Sequence, residues 1–352
     1  NKGKFAIRAL LLLIICIEMG YLSSITVNKR TIVSAREFKQ KTGYNDHTVD
    51  ALKYLSSIDK GFYRINKDYS SSPAVYGSLN DAKVQKFKGT ASYLSFNQLY
   101  FIKFLQATNT IDRDNESHTR WAPGLSQCPS LHSFASIKYN ITKDKKPYML
   151  NVMYDLIATF NDVKVLKNRF FLPLGFTYDQ YITFNDFKKR TIGQKQIALY
   201  EAFIINDPSD SITKELPEYS FSDTIKTYTL SDFKKAIDNR KEDTLNITEY
   251  NDNLIKGAII LRQKKMLFFS IPYDKGWKAY VDGKEQKLKL ITIGFMGLLL
   301  DKGEHTIELI YFPPYVIIGF IISILALIVY FLLVFGPRPP YGIKNLFIRQ
   351  KQ

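Results

Sequence analysis

The chain carries a long apolar segment close to each end, and this pair limits the fold more than anything between them. Residues 9–27 read ALLLLIICIEMGYLSSITV and residues 315–335 read YVIIGFIISILALIVYFLLVF. At about 1.5 Å of rise per helical residue, each is long enough to cross a hydrocarbon core of about 30 Å. The second is free of charge, whereas the first contains Glu18. Lys2, Lys4 and Arg8 precede the first segment, and Arg338, Lys344, Arg349 and Lys351 follow the second. Short basic flanks stay in the cytoplasm, while long regions translocate largely regardless of charge. Residues 1–8 and 336–352 are therefore expected as cytoplasmic flanks, with residues 28–313 as one extracytoplasmic region. A cleaved signal peptide fits the first segment less well, because Glu18 comes early and no small-x-small cleavage pair follows. The chain starts at Asn1, which reads as a piece of a longer protein.

The intervening region is basic. The formal net charge is +16; seven of the 49 basic residues lie in the terminal flanks and Glu18 lies in the first span, which leaves residues 28–313 near +10. That charge suits an anionic membrane surface or a phosphate-rich polymer. Its placement outside the cytoplasm excludes nucleic acid as a partner. Of the two cysteines, Cys16 lies in the first span and Cys128 outside it, so no disulfide can form within the region and packing must hold it.

The expected fold class is α+β: residues 28–242 form an α/β region and residues 243–313 a β-sandwich. Apolar spacing predicts helices over 31–58, 92–108, 190–205 and 231–241, with Asp46 capping the second half of the first and Ser231 capping the last. Strand patterns occur at 62–66, 134–142, 162–168 and 219–230. Beyond residue 243 the pattern predicts a meander. Asp282-Gly283 between two strand runs marks a two-residue hairpin, because Gly tolerates the positive φ of a type I′ turn.

No nucleophile-elbow, zincin, P-loop or dinucleotide signature occurs, and no catalytic or metal-binding residue is assigned. Cys128 and His132 are four apart but lack a second ligand pair. Asp112-Arg113-Asp114 reads as a solvated loop rather than a metal-holding carboxylate pair. The candidate ligand site is an aromatic and charged cluster: Tyr273, Asp274, Lys275, Trp277 and Asp282, with Tyr280 and Lys278 beside them. Aromatic faces next to carboxylates suit sugar rings; the competing reading is that Trp277 and the tyrosines pack the β-rich part. Glu18 within a span points to a bundle interior rather than a lone anchor. Gly319, Ser323 and Ala326 form a small-residue face on the second span that allows close helix packing.

PYDKGWKAYVDGKEQ (272–286) followed by GFMGLLLDKGEHTIELIYFPP (294–314) resembles the C-terminal end of the YfhO family of bacterial membrane proteins. FYRI (62–65), KGTASYLSFN (88–97), SIKYNIT (136–142) and LPLGFTYDQYI (172–182) follow the order of that family, so the resemblance spans most of residues 30–335. It implies a multi-pass enzyme similar to GT-C glycosyltransferases, of which this chain is about the final third. Such a protein would move a sugar from an undecaprenyl-phosphate carrier to a cell-wall polymer such as lipoteichoic acid. The catalytic carboxylates of that class lie in its first outer loop, a region this chain lacks, so none is carried over. The expected partners are membrane lipids, the wall polymer and further membrane helices of the same protein. The alternative is a non-enzymatic, membrane-anchored module that binds wall glycan or teichoic acid.

Overall fold

The computed structural model describes residues 2–29, 35, 41–72, 79–112, 114–125, 128–220 and 229–336. Two long helices bracket everything else: α1 (Lys2–Asn28) and, at the other end, Val316–Phe335. Between them run α2 (Thr48–Ile58), β1 (Arg64–Lys67), β2 (Ser92–Tyr93), α3 (Leu99–Ala107), β3 (Trp121–Ala122), β4 (Ile137–Thr142), β5 (Tyr154–Phe160), β6 (Val163–Asn168), β7 (Gly175–Tyr178), β8 (Tyr181–Thr183), α4 (Ile192–Glu201), β9 (Phe203–Ile205) and α5 (Leu230–Lys241). The remaining strands are β10 (Asn246–Tyr250), β11 (Leu254–Leu261), β12 (Lys265–Pro272), β13 (Trp277–Val281), β14 (Lys284–Gln286), β15 (Lys289–Ile291), β16 (Phe295–Leu300) and β17 (Gly303–Tyr311), after which the chain enters α6, the Val316–Phe335 helix. Both terminal helices are exposed along their length, and their most apolar 18-residue stretches have mean hydropathies of 2.1 and 3.1. An exposed helix that apolar on every side is solvated by lipid or by other helices.

The sheets explain the sequence pattern after residue 243. β12 reads KMLFFSIP and is buried on both faces. Met266 and Phe268 face one apolar cluster, while Leu267 and Phe269 face another. A strand covered on both sides has no reason to alternate, which is why this run is continuously apolar. It sits in a six-stranded sheet of order β7-β12-β16-β15-β9-β8. The five-stranded sheet β10-β11-β17-β13-β14 covers one face through Ile255, Ile259, Ile307 and Leu309. Its own outer face is polar, with Lys256 3.1 Å from Glu308 and Lys278 3.5 Å from Glu285.

The other face of the six-stranded sheet packs under α3 and α4 around Phe134. That ring lies 4.9 Å from Phe268 and 5.4 Å from both Phe104 and Phe295. A third sheet, β1-β4-β6-β5, carries α2 on a smaller core of Ala51, Leu55, Ile65, Ile141 and Val165. Arg64 ties it to β12: its guanidinium donates to the Ser270 carbonyl at 2.9 Å and to the Ala135 carbonyl at 2.8 Å.

Several expectations need correction. The strands beyond residue 243 are not a meander: β11, β13, β14 and β17 lie in one sheet, and β12, β15 and β16 in the other. The six-stranded sheet also draws β7, β8 and β9 from before residue 243, so the expected boundary at 242/243 cuts through it. Residues 92–108 are helical only from Leu99; β2 and a loop precede. The 190–205 helix stops at Glu201 and gives way to β9. The strand β5 had no counterpart in the sequence reading. α5 is capped not by Ser231 but by Thr229, whose hydroxyl accepts from the Asp232 amide while the Asp232 carboxylate accepts from the Thr229 amide. Asp46 does serve the start of α2, accepting the Thr48 amide at 3.0 Å. Most of 31–40 and of the expected 219–230 strand lies outside the described residues.

The Asp282-Gly283 hairpin forms as expected, with φ of 53° and 77°. Asp282 also reaches across to β17: its carboxylate accepts from the Thr306 amide at 2.8 Å and lies 2.8 Å from His305 Nδ1. This hydrogen bond raises the His305 pKa above its ordinary 6.5 and lowers that of Asp282 below 3.8. A raised base stabilises the fold fully below its unfolded value and loses that contribution as pH rises through the folded one. A depressed acid contributes above its unfolded value and loses it in acid. The pair therefore works best between about pH 4 and 6.5. Replacing His305 with Gln should lower the melting temperature more at about pH 5.5 than at pH ~9, read by thermal unfolding at both values. Phe134→Ala should cost about 3–5 kcal/mol by opening a cavity in the aromatic core, measured by denaturant titration.

Candidate functional site

The sequence-predicted cluster divides in two. Tyr273, Asp274 and Lys275 form the turn between β12 and β13, and Trp277 opens β13. Asp274 Oδ1 accepts the Gly276 amide at 2.8 Å, and the Trp277 amide donates to the Asp274 carbonyl at 3.2 Å. Gly276 has to be glycine: a Cβ there would sit 2.4 Å from the Phe312 carbonyl oxygen. Trp277 is half-buried with its ring 5.0 Å from Tyr311, and burial, then nearby Asp274, raises the Tyr311 hydroxyl pKa. Lys275 and Lys278 are exposed. Asp282 is at the far end of β13, committed to the hairpin and to β17. The structure thus brings Tyr273, Asp274 and Trp277 together and leaves Asp282 apart.

The Tyr273 turn borders a much larger feature that no sequence spacing indicates. A cleft of about 1000 Å³ lies between α3, the loop after it, the 184–195 segment and the β15–β16 turn. Tyr100 connects the two: its ring meets Tyr273 edge-on at 5.4 Å, and its carbonyl oxygen packs where a Cβ on Gly294 would be. Three lysines line the cleft, and each has a ring beside it. Lys103 Nζ is 5.4 Å from the Tyr100 centroid, Lys188 Nζ 6.0 Å from Phe184 and Lys195 Nζ 5.8 Å from Phe187. Lys103 and Lys188 project into solvent, whereas Lys195 is buried. Lys195 donates to the Ala107 carbonyl at 3.0 Å and to Asn109 Oδ1 at 2.8 Å, and its burial lowers its pKa.

Asp112 is the one acid among the described lining residues. Its Oδ1 accepts the Asp114 amide at 3.0 Å, so it closes its own turn. The balance of charge in the cleft is positive, and a concave wall concentrates that field on an anion. Gln106, Asn109 and Asn206 add amide groups, and Ile192, Leu290 and Ile293 add apolar wall. Lysines beside aromatic rings, with amides between them, offer both charge for an anionic group and flat apolar faces for packing.

The remaining candidates lie away from this cleft or on the terminal helices. His132 is buried, with Nε2 2.9 Å from the Leu125 carbonyl and Nδ1 on the Tyr154 hydroxyl, and burial pushes its pKa down to about 4. Cys128 instead sits 3.9 Å from Thr110 Oγ1. Among the described residues no cluster of three or more His, Cys, Asp or Glu is placed to hold a metal. Glu18 lies within exposed α1, and the Ser323 hydroxyl on α6 donates to the Gly319 carbonyl at 2.8 Å. A second cavity, of about 320 Å³, lies over β1, where Lys67 pairs with buried Asp81 and donates to Ser71 and Gln85.

No solved structure matches the chain. The uncharacterized protein YfhO of Bacillus subtilis (strain 168) is 34% identical over 95 residues, a stretch that is 27% of this chain and 11% of that relative. The chain thus aligns with a small part of the relative's length. Residues 2–229 and 222–323 match the family described as bacterial membrane protein YfhO. That coverage, with two helices long and apolar enough to cross a membrane, makes this chain a membrane-located member of the YfhO family.

Proposed function

We propose that this chain is part of a multi-pass, GT-C-like membrane glycosyltransferase and that its folded region, residues 28–313, lies outside the cytoplasm and holds an anionic acceptor. The donor in this reading is an undecaprenyl-phosphate-linked sugar, and the acceptor a wall polymer such as lipoteichoic acid. The observation that carries it is the lysine-lined cleft, whose three cations each stand beside an aromatic ring. Family membership supports the membrane setting.

The position of the cleft supports the same reading. β17 ends at Tyr311, and α6 begins at Val316. Tyr273 and Gly294 lie at that end of the sheets, because Pro272 pairs with Phe295 and Trp277 with Tyr311. Tyr100 packs on both, so the cleft it lines opens near the point where the chain enters the membrane. A phosphate polymer anchored in lipid would run past this opening. Catalysis itself is assigned to no residue here; the chain supplies binding and orientation.

The full chain in lipid nanodiscs, titrated with a fluorescent glycerol-phosphate oligomer, tests the reading. The K103E/K188E variant reverses two exposed charges, and its affinity should fall roughly tenfold or more, with wild-type binding weakening as salt is added. A K284E control, remote from the cleft, should bind as wild type. Equal affinity for wild type and K103E/K188E, or equal binding of a neutral glycan of the same length, would overturn it.

A further inference from the structure

A second surface at the same end of the sheets is apolar, not cationic. Residues 93–99 read YLSFNQL, and Tyr93, Leu94, Phe96 and Leu99 all point into solvent, Phe96 with 93% of its surface open. Trp121 joins them: its ring stacks on Tyr93 at 4.1 Å between centroids while remaining exposed itself. A contiguous apolar patch of this kind marks a contact with something other than water.

The backbone under the patch is held firmly. Tyr93 pairs with Trp121 in the β2–β3 ribbon, and the Leu94 amide donates to the Arg120 carbonyl at 3.2 Å. Asn97 Nδ2 donates to the Thr119 and Arg120 carbonyls at 2.8 and 3.0 Å. Gln98 caps α3 by accepting the Phe101 amide and donates Nε2–H to the Tyr273 carbonyl at 2.6 Å. The side chains are thus presented outward by a fixed frame rather than shed from a loose loop.

That last hydrogen bond also fixes where the patch lies. The Tyr273 turn leads into Gly276, whose carbonyl accepts the Phe312 amide at 3.0 Å, four residues before α6 begins. Phe312 and Tyr315 are exposed there too. We propose that the Tyr93–Leu99 loop, with Trp121, inserts into the bilayer interface beside the entry of α6. The composition fits an interface: Tyr, Trp and Phe for the headgroup boundary, Leu for the acyl edge, and Ser and Asn between them. α3 then starts at the membrane surface, and Lys103, about one turn beyond Leu99, stands at phosphate level. The proposal rests on the membrane span and not on the polymer reading, so its failure would leave the latter standing.

The test uses the full chain in proteoliposomes. In a C16S/C128A background, an environment-sensitive dye is attached at F96C and, as a control, at K302C on the β16–β17 turn at the opposite end of the sheets. The F96C dye should be quenched by lipids with a shallow nitroxide and protected from aqueous iodide; the K302C dye should show the reverse. A W277F chain leaves Trp121 as the sole tryptophan without any label, and brominated lipids should quench it. Iodide quenching at F96C equal to that at K302C would overturn the proposal, and so would protection from both quenchers, which would mean that protein covers the loop. An unquenched Trp121 would overturn it as well.

Discussion

Burial of β12 on both faces is the constraint on which the rest of the fold depends. Met266 and Phe268 anchor the aromatic core under α3 and α4, while Leu267 and Phe269 anchor the layer shared with the five-stranded sheet. Neither core is complete without the same eight residues. A strand in this position cannot shift register by one residue without exchanging the two sets, and both cores are packed too densely to accept the exchange. β16 beside it carries Met296, Leu298 and Leu300 to one side and Phe295 to the other. The two strands together set the spacing between the layers, and so the geometry of everything at their ends.

Those ends carry the functional features. Pro272, Trp277, Ile291, Phe295 and Tyr311 all lie at one end of the sheets, where the chain passes into α6. The cationic cleft, the Tyr273 turn and the apolar loop gather there because Gln98 and Tyr100 bind α3 to that edge. The opposite end holds the Asp282–His305 contact and turns that are exposed and polar. The molecule therefore has a distinct polarity along its strands, with lipid-compatible and anion-compatible surfaces side by side.

Much of this was legible in the residues and some was not. The Asp282-Gly283 hairpin, both long apolar helices and the family were readable because each depends on local sequence: a turn dipeptide, a long apolar run, an ordered series of motifs. Strand assignment to sheets was not, since alternation reports which face is buried and not which neighbour a strand pairs with. β5 is hard to read from sequence because it is mostly half-exposed and lacks a clear alternation of buried and exposed positions. Residues 92–98 read as helical because the outward Leu94 and Phe96 imitate the apolar stripe of a buried helix, which begins only at Leu99. The cap of α5 was misplaced by two residues, although Thr229 and Asp232 have the spacing of a capping box. The cleft lysines come from α3, a short helical turn and α4, and only tertiary packing joins them. Trp277 and Asp282 were adjacent in the sequence cluster, yet a β-strand carries them to opposite ends.

The order of strands in the central sheet has a consequence for how the chain comes into being. Phe176 in β7 must wait for Phe268 in β12, and Ile205 in β9 for Ile291 in β15. During synthesis β7, β8 and β9 therefore emerge before the strands that complete their sheet and the other half of the aromatic core. Completion depends on β12, β15 and β16, which are made after them and shortly before the apolar helix α6. Newborn copies would thus pass through a stage with unpaired strand edges and an apolar face open to solvent, which makes the pace of folding hang on the strands that close the sheet.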